Sequence, residues 1–237
     1  MILVQYANLM QIWSNFTSDF YSNFIAEDRY MFLVKGLGIT IQVSFFAILL
    51  GILLGFTLAF FKLSKSRALQ RIASAYISVI RGTPVVTQLL IIYFVFFGSV
   101  NISKVIVAII AFGVNSGAYV AEIVRGGILS VDKGQMEAGR SLGLSYRQTM
   151  IHIVIPQALK NIFPALVNEF IVLIKETAIV GYIALEDLTK GADIIRSRTF
   201  EPMMPLISAA IIYFILTTIL SKAMGVIERR LRKGDQH

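Results

Sequence analysis

Gly36 to Phe61 reads GLGITIQVSFFAILLGILLGFTLAFF, a run without one charged side chain. At about 1.5 Å of rise per residue it exceeds the roughly 20 residues that a helix needs to cross the hydrocarbon core of a bilayer. The composition agrees: 56% of the chain is hydrophobic and 15% charged, where a soluble domain carries about 25% charged residues. The fold class that follows is an all-α integral membrane protein.

Working outward, four more runs are long enough to span: Ile72–Gly98, Val105–Val124, Ile162–Leu185 and Met203–Met224. The expectation is therefore about five transmembrane helices. The opening MILVQYANLMQIWSNF has neither a basic leading region nor a small-residue cleavage site, so it does not read as a cleaved signal peptide. Residues 1–32 read as an extracytoplasmic or interfacial lead-in, 33–232 as the membrane domain and 233–237 as a cytoplasmic tail. The chain has no cysteine, which excludes disulfides and thiolate metal sites.

Basic residues are retained on the cytoplasmic side. Of the 22 Lys and Arg, most fall in three alternate connections: Lys62, Lys65, Arg67, Arg71; then Arg125, Lys133, Arg140, Arg147, Lys160; then Lys222, Arg229, Arg230, Arg232, Lys233. The opposite side holds Arg29, Lys35, Lys104, Lys190, Arg196 and Arg198, while Arg81 and Lys175 lie inside spans. The amino terminus is thus expected outside and the carboxy terminus inside. This bias explains most of the +8 net charge, and no nucleic-acid surface is called for.

The one long cytoplasmic connection, about 125–160, contains EAGRSLGLSYRQTMIHIVIP at Glu137–Pro156. Asp132 with Gln135, and Ser145 with Gln148, have the spacing of capping boxes, in which the cap side chain and the residue three on satisfy each other's free backbone donors. One helix from about Lys133 to Leu142, closed by Gly143, and a second restarted by Ser145 and limited or kinked at Pro156, are predicted. On local physics alone this is equally an amphipathic helix resting on the membrane surface.

The order Glu137, Ala138, Gly139, three residues, Gly143, nine residues, Ile153, one residue, Ile155, Pro156 resembles the EAA loop of importer-type ATP-binding cassette permeases. Gly139 replaces that pattern's third small residue and Ile155 its leucine. RGTPVVTQLL at 81–90, NSGAYVAEIVRGGI at 115–128, NEFIVLIKETAIV at 168–180 and ERR at 228–230 resemble the polar amino-acid subfamily. The resemblance implies a type I importer permease fold with a cytoplasmic coupling helix, in the cell inner membrane. It implies as partners two ATPase subunits, a second permease copy or close paralogue and an extracellular solute-binding protein. Glu137, Ala138, Gly139, Arg140, Leu142 and Gly143 would then form the contact with the ATPase, with Glu137 supplying a polar or ionic contact. The chain contains no G-x-x-x-x-G-K-[ST] loop, so P-loop nucleotide binding belongs to a partner; no cofactor of its own is expected, and ATP with Mg²⁺ would be used by the ATPase.

Polar residues inside spans are costly and must face protein or water. Asn115, Tyr119 and Glu122 share one helical face: Asn115 and Tyr119 are candidates for lining the solute path or, equally, for hydrogen-bonding neighbouring helices, and Glu122 is placed to pair with Arg125. Asn168, Glu169, Lys175, Glu176 and Thr177 interrupt the fourth run and, with Val172, are candidates for a solute path. The alternative is that Lys175 neutralises Glu169 or Glu176 and locks the bundle. Thr83, Pro84 and Gln88 are gate candidates. Arg81–Pro84 either bends the second span as a hinge or starts it, with Thr83 capping and Arg71–Gly82 lying along the interface as an elbow; the second reading is preferred. Gly51 with Gly55 and Gly113 with Gly117 read as packing. The charged stretch Glu186–Glu201 reads as a solvated outward surface or a docking site for a binding protein. His152 and His237 are too isolated for a metal site.

The leading function is the permease of an ATP-driven importer of polar amino acids, with a mild preference for a basic one such as arginine, then the glutamine and histidine class. The alternatives are an ion-gradient-driven transporter assembled from two five-span units and, last, an intramembrane enzyme.

Overall fold

The computed structural model describes residue 11 and residues 13–232. Residues 1–10 and 12 of the lead-in, and the tail expected over 233–237, lie outside the described residues. Among the described residues every regular element is helical. In chain order these are α1 (Tyr30–Leu63), α2 (Arg67–Arg81), α3 (Val85–Ile91, continued by a π turn to Phe96), α4 (Lys104–Leu129), α5 (Lys133–Ser141), α6 (Tyr146–Thr149, continued by a π turn to Val154), α7 (Ile155–Glu176), α8 (Leu188–Thr199) and α9 (Met203–Arg232).

Among the described residues three helices are long and apolar enough to cross a membrane: α1, α4 and Met203–Arg230 of α9. The expected second span is two helices, α2 and Val85–Phe96, meeting at 104°. Pro84 sits in extended geometry at the start of α3 without a side-chain cap. Thr83, expected as that cap, closes α2 instead, donating to the Val79 carbonyl at 2.8 Å. It directly precedes Pro84, too early for its hydroxyl to serve the first N–H groups of α3 but four residues after Val79, where a threonine can bond back. The run expected as a fourth span is the helix α7, which is not among the helices long and apolar enough to cross, so three such helices, or four with the bent pair, stand where about five were expected. It begins at Ile155 and stops at Glu176, where Thr177 donates to the Ile174 carbonyl at 2.7 Å and the chain tightens into a 3₁₀ stretch through Ile183.

The chain forms two compact units. The larger holds Gln42–Thr177 and the residues from Leu216 on. In it α4 is the central element, packed against α2, α3 and α7. Lipid tails are as apolar as leucine, so close van der Waals packing does the work that hydrophobic burial does in water. Gly51 and Gly55 of α1 lie against Ser116 and Val120 of α4, while Gly113 and Gly117 of α4 receive Leu50 and Leu54 of α1. A Cβ on Gly51, Gly55 or Gly113 would collide with the facing helix, and one on Gly117 would crowd Leu54 at 3.0 Å. The two glycine pairs therefore form one reciprocal seam. On its other side α4 admits Ile162 of α7 at Gly127.

The smaller unit holds the chain up to Ile41 together with Ala178–Ile215. Its core is Phe24, Leu33, Leu188, Ala192, Ile195 and Ala209. The stretch expected as a charged surface loop is mostly the helix α8. Asp187 is fully buried at its start, bonded by the backbone N–H groups of Lys190 at 2.9 Å and Thr189 at 3.2 Å and by the Tyr213 hydroxyl at 3.1 Å. Burial pushes the Asp187 carboxyl above the ordinary aspartate range, these bonds opposing it. Asp193 does lie at the surface, where hydrogen bonds from Lys190 and Arg196 hold its carboxyl below that range.

Candidate functional site

Two polar regions of the larger unit contain nearly all the candidate residues. The first is the elbow over 132–156. Asp132 caps α5 by accepting from the Gly134 N–H at 2.6 Å. The expected box with Gln135 is not formed: the Asp132 carboxylate takes the Gly134 N–H and not that of Gln135, and the Gln135 side chain accepts from Gln157 at 3.2 Å. The second box is complete: Ser145 accepts from the Gln148 N–H at 3.3 Å, and the Gln148 side chain accepts from the Ser145 N–H at 2.9 Å. Between them Gly143 has φ +85°, the left-handed conformation that glycine reaches without a Cβ penalty. Pro156 lies in the first turn of α7, preceded by the π turn Met150–Val154. The wider turn lets a residue without an N–H continue the helix.

This geometry sorts the coupling candidates by face. Gly139 is buried, and a Cβ there would strike Thr149 and Ile153, so its small size serves the closure of the elbow on itself. Glu137, Ala138 and Arg140 are exposed. Leu142 is 81% exposed at the tip. Arg140 donates to the Leu144 carbonyl at 3.1 Å, across the turn. Glu137 makes no hydrogen bond or ion pair among the described residues.

The second region is a polar seam along α4. Asn115, buried, donates to the Gln88 side chain at 2.9 Å, and Gln88 in turn donates to the Ile80 carbonyl at 2.7 Å and the Thr83 hydroxyl at 2.8 Å. This amide chain ties the break between α2 and α3 to α4. Ser116, next along, donates to Glu169 of α7 at 3.0 Å. The Arg81 guanidinium stands over the Tyr119 ring, 5.3 Å from its centroid, a cation–π contact. Glu122 pairs with Arg125 at 2.7 Å, as expected from the sequence, and with Lys62 of α1, which sequence reading missed.

On α7, Asn168 and Lys175 are exposed, Glu169, Val172 and Glu176 are half-buried and Thr177 is buried. Lys175 lies within electrostatic reach of Glu176 but forms no direct ion pair with Glu176 or Glu169 among the described residues. The locking pair weighed from the sequence is therefore not present. Thr177, taken as a path residue, spends its hydroxyl on the end of its own helix. Thr83 and Pro84 are exposed at the break, whereas Gln88 is buried. Ser116 had no local signal; only the fold brings it to Glu169.

The family model described as "Binding-protein-dependent transport system inner membrane component" matches residues 47–233. The chain is 42% identical over 205 residues to a putative glutamine transport system permease protein, GlnP, of Rickettsia bellii, covering 86% of this chain and 94% of the relative. It is 42% identical over 206 residues to the arginine transport system permease protein ArtQ of Bacillus subtilis (86% and 94%), and 38% identical over 209 residues to the L-cystine permease TcyB of the same organism (87% and 89%). A solved amino acid ABC transporter "with histidines" superposes with a TM-score of 0.81 at 46% identity, covering 87% of this chain and 98% of that one. The MetNI methionine transporter, at 21% identity and TM-score 0.74, shares the fold.

Proposed function

This chain belongs to the family of binding-protein-dependent transport system inner membrane components; from that premise we propose that it is the non-enzymatic, membrane-spanning subunit of an ATP-driven importer of polar amino acids. Force enters at the elbow. The observation that carries this reading is the division of labour there: Gly139, Thr149 and the Ser145–Gln148 box hold the elbow together from inside, leaving Glu137 and Leu142 outward and unengaged. A carboxylate and an exposed leucine carried by the same short helical elbow suit a shallow groove with a basic rim on a partner, the pairing of apolar anchor and charge found at protein interfaces.

In this reading two ATPase subunits bind nucleotide and Mg²⁺, a second permease copy or close paralogue completes the translocation path, and an extracellular binding protein delivers the solute. The protein sits in the cell inner membrane with its amino terminus outside and its carboxy terminus in the cytoplasm. Closure of the ATPases displaces α5, and α7, continuous with the elbow through the π turn, carries the motion into the membrane, alternating access between the two sides. The relatives carry glutamine, arginine and cystine by name, which supports the solute class. Asn168, Glu169, Lys175 and Glu176 line the path, with Asn115, Tyr119, Val172 and Gln88 behind them. The two acids against one base favour a basic amino acid such as arginine, ahead of glutamine or histidine.

The test is affinity purification of the gently solubilised protein from its own membranes, native beside Glu137→Lys, with ATPase activity assayed in the eluate. Activity that copurifies with the native chain and is lost with the variant is the expected result. Equal recovery from both would overturn the assignment of Glu137 to the contact. Glu169→Gln should alter solute uptake while leaving the ATPase bound; loss of the whole complex would make Glu169 structural.

A further inference from the structure

A cavity of about 450 Å³ opens between the elbow and the ends of α1 and α4, and it has no part in the function proposed above. Phe60 and Leu63 of α1, Leu129 of α4, and Met136 and Met150 of the elbow form its apolar walls, with Lys133 at its edge. Its size falls in the range of roughly 300–1,000 Å³ seen for small-molecule sites.

Two observations say what fits it. The first is continuity. Leu49, Leu53, Phe56, Phe60 and Leu63 recur at alternating four- and three-residue spacing, one stripe along α1, and Leu49, Leu53 and Phe60 are 47%, 66% and 59% exposed. A stripe of large apolar side chains on a membrane helix faces acyl chains, and its last two members are walls of the cavity. The groove thus extends the lipid-facing surface inward beneath the elbow. The second is charge. Asp132, the one acid lining it, is turned to the Gly134 N–H at the positive N-terminal end of α5, which offsets part of its charge, whereas Lys133 is exposed and has no hydrogen-bond or ion-pair partner among the described residues. Apolar walls that open to the bilayer, with a free ammonium where the headgroups begin, match an amphiphile with an anionic head.

We propose that this groove is a binding site for an anionic phospholipid of the cytoplasmic leaflet, one acyl chain lying between Phe60 and Met150 and the phosphate at Lys133. The lipid packs between α5 and the ends of α1 and α4, filling the space into which the elbow would otherwise collapse when pushed. The proposal rests on the orientation given above.

Phosphatidylglycerol and phosphatidylcholine, each with a photoreactive group on the acyl chain, test it with the full chain in lipid nanodiscs, adducts being mapped by peptide mass spectrometry. The expected result is adducts on the segments holding Met136 and Met150, about fivefold more from phosphatidylglycerol, the factor one basic side chain contributes beside anionic lipid. Lys133→Glu should abolish that preference, and Met150→Trp, which fills the groove, should remove the adducts there while those along Leu49–Leu53 persist. Labelling confined to the α1 stripe, or groove labelling indifferent to both substitutions and to headgroup, would overturn the proposal. Groove labelling that vanishes once a copurifying ATPase is bound would also overturn it, assigning the groove to that interface. The elbow's role in ATPase binding is read separately by copurification, so failure of one does not imply failure of the other.

Discussion

Glu122 and Glu137 are carboxylates in the same unit, on helices joined by one short turn, and they are treated in opposite ways. Glu122 is held by Lys62 and Arg125; Glu137 stands exposed with no partner among the described residues. In a low-dielectric setting an unpaired charge is expensive, and Glu122, half-buried on α4, is met there by two cations of the chain itself. In water an unpaired charge costs little and remains available. The contrast separates groups that build the molecule from groups that it offers to something else, and substitution can sharpen or break that separation.

The largest loss of stability is expected for Glu122→Ala, which leaves Lys62 and Arg125 facing one another. All three groups are only half-buried, so the loss lies between about 1 kcal/mol for an exposed pair and about 3 kcal/mol for a buried one, toward the upper end because two cations are left without their acid. It is readable as a fall in the thermal midpoint of the purified protein; an unchanged midpoint would mean the triad contributes nothing. Gly139→Val comes next, at about 1–3 kcal/mol for overpacking, because its branched side chain is driven into Thr149 and Ile153. Here the elbow should open while the spans remain helical, seen as selective loss of amide-exchange protection over 133–149.

A smaller, pH-dependent effect belongs to Asp187. Its carboxyl is raised by burial, so the folded chain holds the proton more tightly than the unfolded chain. Stability from this residue is greatest on the acid side and declines as pH rises from the ordinary aspartate range through the raised value. Asp193, lowered by Lys190 and Arg196, acts with the opposite sign: its contribution is present above the ordinary range and lost as pH falls. Asp187→Asn should therefore remove the declining limb and leave a slope of the other sign in thermal unfolding followed from acid to neutral pH. Retention of the native profile would show that Asp187 does not titrate with folding. The smallest effect on stability, within about 0.5 kcal/mol, is expected for Glu137→Lys, the same change that should eliminate ATPase association. A folding defect of several kcal/mol would erase the contrast with Glu122.

What the sequence made legible was local. The apolar run at 36–61, the left-handed Gly143, the Ser145–Gln148 box and the Glu122–Arg125 pair all depend on residues within a few positions of each other, and each is found in the structure. The partners that complete the seam were not legible. Lys62 meets Glu122, Gln88 meets Asn115 and Ser116 meets Glu169 only after helices far apart in the chain have docked. Asp187 misled for the same reason: a charge among charges reads as solvated, and only the packing of Leu33, Leu188 and Ile195 with the rest of that core reveals that it is enclosed. The EAA-like spacing marked the elbow correctly. It could not say that Gly139 faces inward while its neighbours Ala138 and Arg140 face out.

The glycine seam between α1 and α4 has a mechanical consequence. Leu50 and Leu54 sit in the gaps left by Gly113 and Gly117, and Ser116 and Val120 in those left by Gly51 and Gly55, like teeth of two meshed racks. Sliding by one helical turn, about 5.4 Å, would carry teeth out of their gaps and onto bulky neighbours. Shear along this contact is blocked, and the two segments must swing together as a single lever arm. Whatever opens and closes around them has to find its hinges elsewhere.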